Sequence, residues 1–314
     1  MELRPLVDVD LREVLAPINR AARGEFLPTL RTVAQLRERV ALGVLDLKLS
    51  RACYVGGTLG ATCLVEHLAD ESVAHIDALA SEPLAQQRGA VRALVDAVQS
   101  AAALAGVSEL TVFVSEMDST LGAALQAAGF TRRQAVARYA LAGPPSALPL
   151  PVDVDGVSEP PTSGTFVRAV SLPEALPMVS AVDPSRLLYA QRSTVLQKLA
   201  ARLSVLQLYT VAEAGGTAQP EAALVFDRER KSLCALGGET AALASLIALA
   251  ATRHGIAYLD AIAETHPAVS ALQAAGYVRS AMRVELTCDP RAVLAGQKNR
   301  AVGPTDGPGK KGAE

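Results

Sequence analysis

Apolar and polar positions alternate along the chain in short runs that predict strands, broken by longer stretches in which apolar residues recur every three or four positions and predict helices. The first half reads as a strand at Glu2–Val7, helices at about Asp10–Arg23 and Thr29–Leu42, and strands at Ser50–Val55 and Leu59–His67 joined by a tight Gly56-Gly57 turn. A strand at Ser72–Ala80, a polar loop, a helix at about Gly89–Leu104, a strand at Glu109–Val114, a helix at Ser119–Ala128 and a strand at Gln134–Leu141 follow. The second half predicts the same order: a strand at Thr165–Val170, helices at Pro173–Val182 and Ser185–Leu203, and a hairpin at Val205–Ala212 and Ala222–Phe226. Then come a strand at Lys231–Leu236, a helix at Thr240–His254, a strand at Ile256–Ile262, a short helix and a strand at Arg279–Leu286. The long helix of the second half carries Arg186, Tyr189, Arg192 and Lys198, which read as one solvated face.

The duplication is visible in the letters as well. Ala124-Leu125-Gln126-Ala127-Ala128-Gly129-Phe130 returns as Ala271-Leu272-Gln273-Ala274-Ala275-Gly276-Tyr277, each copy preceded by an apolar strand and followed by an alternating one. The glycine sits where a helix ends in the left-handed region, which only glycine enters without steric cost. Pro and Gly crowd the interval between the halves, so the chain divides into a first domain at 1–143, a linker at 144–164, a second domain at 165–290 and a tail at 291–314 expected to be disordered.

Composition narrows the partners. With 30 Lys and Arg against 32 Asp and Glu the net charge is −2, so no basic field draws phosphate polymers. Aromatics make up only 4 % and Trp is absent, which removes the stacking platforms of single-strand binders. No nucleic-acid or membrane role is expected: the charged first fifteen residues lack a signal-peptide core, and no apolar run is long enough to span a bilayer. The sequence therefore predicts a cytoplasmic chain with reduced thiols at Cys53, Cys63, Cys234 and Cys288, which form no CxxC pair, and no metal site.

One segment points to chemistry. Leu79-Ala80-Ser81-Glu82-Pro83-Leu84-Ala85-Gln86-Gln87-Arg88-Gly89-Ala90-Val91-Arg92 runs from a strand end through a polar loop to a glycine-marked helix start, where unpaired N–H groups and the helix dipole favour phosphate. It has neither the GK[ST] of a Walker loop nor the three glycines of a dinucleotide fingerprint. The segment and the order of elements resemble the GNAT N-acyltransferase superfamily, whose acyl-CoA loop reads Q/R-x-x-G-x-G/A. Gln86, Gly89 and Val91 fall on its three marked positions.

That resemblance implies an α/β (α+β) protein of two tandem domains, each a mixed, mostly antiparallel central sheet flanked by helices. It implies acetyl-CoA as co-substrate, an N-acetyltransferase acting on a primary amine of a small molecule or peptide, and a monomer whose two halves form a pseudo-dimer, or a weak homodimer. Leu79, Ala80 and Ser81 would contact the pantetheine arm through their backbone, and Gln86, Gln87, Arg88, Gly89, Ala90, Val91 and Arg92 would surround the diphosphate. His75 falls where some members place a catalytic Glu, and an imidazole titrates in the range that suits deprotonating an ammonium. Asp77, two residues on, is the second catalytic candidate. The family's usual proton donor, a Tyr four residues before the glycine of the Gly-Phe pair, is Leu125 here and Leu272 in the second half; Tyr54, Tyr139 and Ser115 are its candidate substitutes. Glu66, His67, Glu116 and Asp118 lie at strand ends beside the expected cleft. In the second half Gly237-Gly238-Glu239-Thr240 leads straight into a helix, which deletes most of the loop and puts an acidic residue at the would-be phosphate position. A GNAT-fold binding or regulatory protein that has lost the chemistry is the alternative, and a catalytic second half the third reading.

Overall fold

The structure, a computed structural model, describes residues 1–22, 31–87, 89–115, 119–143, 164–181, 188, 191–211, 216–293 and 295. Their contacts divide into two compact units. Unit 1 draws on Met1–Phe113, Asp118–Arg132 and Leu286–Glu314, and unit 2 on Val114–Met117 and Arg133–Glu285.

The first half contains β1 (Glu2–Pro5), α1 (Leu11–Ala22), α2 (Val33–Ala41), β2 (Arg51–Val55), β3 (Thr58–His67), β4 (Val73–Ser81), α3 (Pro83–Gln87), α4 (Ala90–Leu104), β5 (Glu109–Ser115), α5 (Ser119–Ala127) and β6 (Thr131–Leu141). In unit 1 the strands run β1-β2-β3-β4-β5, antiparallel except for the parallel β4–β5 pair. Because side chains alternate across a strand, the sheet buries two different faces. Val14 and Ile18 of α1 and Leu36 of α2 pack with Ala52, Leu64 and Ala80 on one, while Ala90 and Leu94 of α4 pack with Cys53 and Ala61 on the other. Each such leucine removed from water contributes about 2 kcal/mol. Helix α2 starts in a capping box, with Gln35 N–H donating to Thr32 Oγ1 at 3.2 Å and Thr32 N–H to Gln35 Oε1 at 2.9 Å.

The polar loop expected before α4 is largely helical. Pro83 supplies the preset φ of a first helical turn, Gln86 N–H donates to Glu82 C=O at 2.9 Å, and the buried Ala85 packs where Gly60 of β3 leaves room. A Cβ at Gly60 would stand 2.7 Å from that of Ala85.

The second half repeats the order as β7 (Gly164–Ala169), α6 (Leu172–Val179), α7 (Ser193–Lys198), β8 (Leu203–Val211), β9 (Gln219–Asp227), β10 (Ser232–Gly238), α8 (Thr240–His254), β11 (Tyr258–Ala263), α9 (Val269–Ala274) and β12 (Tyr277–Cys288). The unit 2 strand order is β6-β11-β10-β9-β8-β7, again antiparallel apart from β10–β11. Both units are thus mixed, mostly antiparallel sheets with helices. Sequence halves and compact units differ at the last strands: from Arg133 onward β6 belongs to unit 2, paired with β11, while β12 is divided, Tyr277–Glu285 falling in unit 2 and Leu286–Cys288 in unit 1. There Thr287 Oγ1 donates to Glu109 Oε1 at 3.1 Å and Gln99 Nε2 to Cys288 Sγ at 3.4 Å.

A long helix at 185–203 does not form over its described part. Arg192 is extended at φ −67°, ψ 141°, α7 ends at Lys198, and a 3-10 turn at Ala200–Arg202 leads into β8, so Arg192 and Lys198 share no helical face. Arg186 and Tyr189 lie outside the described residues, as does nearly all of the expected linker. Within the expected tail, residues 291–293 are helical, and Asp289 just before it accepts from Arg291 N–H at 2.9 Å. All four cysteines are free thiols. Among the described residues no helix is long and apolar enough to cross a membrane, and no group of His, Cys, Asp or Glu is arranged to hold a metal ion.

Gly237 of β10 is a tight approach in unit 2: a Cβ there would lie 2.3 Å from the Met178 carbonyl oxygen of α6, which cannot yield without moving backbone. Gly237→Ala is therefore expected to destabilise the protein by at least about 2 kcal/mol. Gly122→Ala, within α5 and with nothing inside 4 Å, should stabilise it by about 0.5–1 kcal/mol. Urea midpoints of the two variants check both signs.

Candidate functional site

Strands β4 and β5 part company halfway along. Their parallel ladder pairs Val73–Ile76 with Glu109–Val112 and stops, whereas β4 continues to Ser81 against β3 alone. The register with β3 slips at the same place: Ile76 faces Val65 and Ala78 faces Leu64, leaving Asp77 as the extra residue of a bulge. A bulge bends its strand and increases local twist, which turns β4 away from β5. Hydrogen-bonded pairs alternate in an antiparallel ladder. Glu82 N–H donates to Gly60 C=O at 2.7 Å, so Ala80 and Ala78 also aim their peptide groups at β3. Leu79 and Ser81 consequently direct their N–H and C=O groups to the open side, where a ligand chain can add as a further strand. Ala80, expected with them, instead uses its peptide on β3.

The N-terminus of α4 follows. Gly89 caps it in the left-handed region at φ +77° and brings no side-chain cap of its own, and among the described residues nothing lies within 4 Å of where a Cβ would stand. Gly89 N–H is taken by Gln86 C=O at 2.9 Å, which leaves the amides of Ala90, Val91 and Arg92 in the first turn. Ala90 and Val91 turn their side chains into the core, and Gln86 is exposed. Arg92 pairs with Asp96 at 2.9 Å along its own helix. Arg88 and the Gln87 side chain lie outside the described residues.

His75 sits one residue before the point of divergence. It is buried, faces Glu66 on β3 and Thr111 on β5 in register, and places Nδ1 2.9 Å from Thr111 Oγ1. Its ring lies 4.6 Å from that of Phe113, tilted by 54°. Asp77 is gripped by two arginines absent from the sequence reading. Arg31 donates through Nη2 to Oδ1 at 2.9 Å and also pairs through Nη1, and Arg39 of α2 donates to Oδ2 at 3.0 Å while pairing with Glu66. Asn19 of α1 fixes the Arg31 backbone from both sides, accepting its N–H at 2.8 Å and donating to its C=O at 2.9 Å. Burial raises the Asp77 pKa, but the two guanidinium charges outweigh it and hold the carboxyl far below the ordinary carboxylate range. So weak a proton acceptor serves as an anchor between α2 and the bulge rather than as a base, which corrects the catalytic expectation for it.

The remaining candidates disperse. Leu125, at the family's proton-donor position, is fully buried, as is Leu272. Tyr54 lies on β2, two strands from the open side of β4, and donates to Glu13 at 3.0 Å. Tyr139 is a buried residue of unit 2, and Ser115 is exposed at the end of β5. His67 Nδ1 approaches Asp46 at 3.4 Å, a contact that raises the imidazole pKa. Glu116 and Asp118 lie outside the described residues.

Unit 2 treats the equivalent place differently. Glu239 caps α8 with its own carboxylate, accepting Ala242 N–H at 2.8 Å, and these backbone donors lower its pKa. A resident anion thus occupies the helix N-terminus. Beside it, Gly237 and Gly238 press their backbones against Met178 and Glu221.

The grip on Asp77 sets a pH signature. Its folded pKa lies below the unfolded value of about 3.9, so its contribution is complete above that value and is lost as pH falls beneath it. Asp77→Asn, which takes the shared anionic partner from two partly buried arginines while Arg39 keeps Glu66, should cost about 3 kcal/mol at pH 7. Urea titrations of both proteins down to pH 3 should show that gap narrowing.

No family sequence model matches the chain, and no curated protein sequence does. Solved structures do. The chain is similar to a tandem GNAT protein from the clavulanic acid biosynthesis pathway at TM-score 0.64 and 18 % identity, covering 92 % of this chain and 98 % of that one. A GCN5-related N-acetyltransferase from Sphaerobacter thermophilus matches at TM-score 0.60 and 14 % identity over 92 % and 96 % of the two chains. One from Anabaena variabilis matches at TM-score 0.56 and 10 % identity over 93 % and 73 %. Together with the duplicated element order and the parting of β4 from β5, these likenesses show that the chain has the tandem GNAT fold.

Proposed function

We propose that this protein is an acetyl-CoA-dependent N-acetyltransferase whose first unit binds the co-substrate and acetylates a primary amine of a small molecule or peptide. The observation that carries the reading is the open side of β4 at Leu79 and Ser81, continuous with an uncapped helix N-terminus at Gly89–Arg92. The residues fit the group: peptide donors and acceptors for an extended pantetheine arm, then first-turn amides and a helix dipole for a diphosphate, with open space above Gly89. Acetyl-CoA would supply an activated thioester carbonyl and a thiolate leaving group.

His75 is the base of this reading. It stands at the apex of the divergence, where a reacting carbonyl would lie beyond the pantetheine contacts, and a neutral imidazole there can take the proton of an incoming ammonium. Asp77 and Glu66, each paired with arginine, lie beside it, Asp77 two residues on along β4 and Glu66 in register on β3. The first-turn amides hold the co-substrate in place and need not move. In unit 2 the Glu239 carboxylate occupies the corresponding amides and repels a diphosphate, so one co-substrate per chain is expected.

The buried Leu125 favours a second reading, a GNAT-fold binding or regulatory protein that retains acetyl-CoA and has lost the chemistry. A thiol with pKa near ~8.5 leaves without an acid, only more slowly, so catalysis stays the leading reading.

Three outcomes follow from the leading reading. Acetyl-CoA at about 100 times its Kd should protect against thermal unfolding by about 2.7 kcal/mol, and calorimetric titration should give one equivalent per chain. Gly89→Glu, which forces a side chain into a left-handed position and adds a competing carboxylate, should remove the protection while leaving the ligand-free circular dichroism unchanged. His75→Gln should keep the protection yet reduce CoA thiol release across a panel of primary amines by about 100-fold or more; protection without thiol release from the wild type would favour the non-catalytic reading.

A further inference from the structure

His67 closes β3 and is 8 % exposed. Its Nδ1 lies 3.4 Å from the Asp46 carboxylate and its Nε2 3.1 Å from the Glu71 carbonyl oxygen. An ionised carboxylate and a carbonyl can only accept hydrogen bonds. Either neutral tautomer would therefore turn a nitrogen lone pair on one of these oxygens, and only the doubly protonated ring donates to both. Asp46 is itself held as an anion: burial opposes its charge, but donation from His67 and from the Leu49 and Lys48 N–H groups outweighs that and lowers its pKa.

The two partners lie on separate pieces of the chain. Asp46 follows α2 and donates its N–H to Val65 C=O of β3 at 2.9 Å, whereas Glu71 belongs to the turn between β3 and β4, which its own N–H closes on Leu68 C=O at 2.9 Å. The next residue, Ser72, accepts the N–H groups of Ser108 and Glu109 at 2.8 and 3.2 Å, which starts the β4–β5 pairing at the end opposite to where the strands part. We infer that His67 is held as an imidazolium and latches this turn to Asp46, fixing the paired end of the β4–β5 fork until the ring gives up its proton. The charged groups facing the ring are both negative, Asp46 from the segment after α2 and Glu71 from the turn, while Asp70 at the tip of the turn is exposed and Arg51 of β2 acts on Asp46. The hydrogen bond to Asp46 raises the imidazole pKa, and burial offsets it only in part. With a folded pKa above the unfolded value of about 6.5, the latch contributes fully below that value and is lost as pH rises through the folded one. This is the reverse of the Asp77 signature.

The test is a pH titration of the full, nitrogen-15-labelled chain by NMR, reading the imidazole nitrogens and the backbone amides together. Four histidines are present, and the His67 signal is assigned by its loss in His67→Gln or, should that variant fail to fold, by backbone-to-ring correlation. The His67 midpoint should lie above about 6.5, with both ring nitrogens protonated below it. Asp46→Asn keeps an acceptor oxygen for the Lys48 and Leu49 amides and removes the charge, so it should lower that midpoint. The Ser108 and Glu109 amide signals should move with the His67 midpoint in the wild type and lose that step in His67→Gln. The gap in urea midpoint between wild type and His67→Gln should narrow from about pH 6 to about pH 9. A wild-type midpoint at or below about 6.5, or one unmoved by Asp46→Asn, overturns the held charge, and Ser108 and Glu109 amides that stay still through the transition overturn the latch. Should either variant fail to fold, the wild-type midpoint and its amide step still decide both parts. No acetyl-CoA is added, so failure of the proposed activity would leave these measurements intact.

Discussion

A peptide group that loses its strand partner must find another, and in unit 1 the place where this happens organises everything around it. The parallel ladder between β4 and β5 ends at Ile76 and Val112, and the bulge at Asp77 turns β4 outward at that level. Beyond it, Leu79 and Ser81 offer a row of backbone donors and acceptors, and the strand delivers the chain to the N-terminus of α4. The bulge needs support, because its extra residue carries a charge. Asp77 is held by Arg31 and Arg39, Arg39 reaches Glu66, and Asn19 fixes the Arg31 backbone, so the end of α1, the start of α2 and two strands are tied to one point.

The duplicated order of elements makes unit 2 an internal comparison. Its parallel β10–β11 pairing is also short, covering Ser232 and Leu233 against Tyr258 and Leu259. Its helix N-terminus, though, carries Glu239 in place of an open glycine turn, and its glycines serve close backbone packing rather than left-handed access for a ligand. A carboxylate one methylene longer than the usual aspartate cap meets the same donors a phosphate would, and a site already neutralised by its own anion has little to offer another. The same scaffold therefore presents a glycine cap in one copy and a carboxylate cap in the other.

Burial separates the candidate side chains by what they can do. Leu125 occupies a core position, so its hydrophobic identity agrees with its surroundings and no hydroxyl is missing from the packing there. His75 is also buried but polar, with Thr111 and Phe113 against its ring.

Local patterns determined the elements: the spacing of apolar residues located the hairpin at Gly56-Gly57, the helix at Thr240–His254 and the repeated helix–glycine–strand unit, because those depend on neighbours a few positions away. The deleted loop before α8 and its acidic start were also legible, since they lie in one continuous stretch. Tertiary structure alone decided which sheet each last strand joins, because β6 and β12 carry similar alternation and nothing local distinguishes their partners. It also decided that Pro83–Gln87 coils into a helical turn, where Ala85 finds the space left by Gly60 from another strand. The partners of Asp77 were equally out of reach, as Arg31 and Arg39 meet it across the fold. Thr111 had left a faint trace as a polar residue between Leu110 and Val112. Pattern reports which face a residue occupies, and only the packed sheet brings the Thr111 hydroxyl to the His75 imidazole.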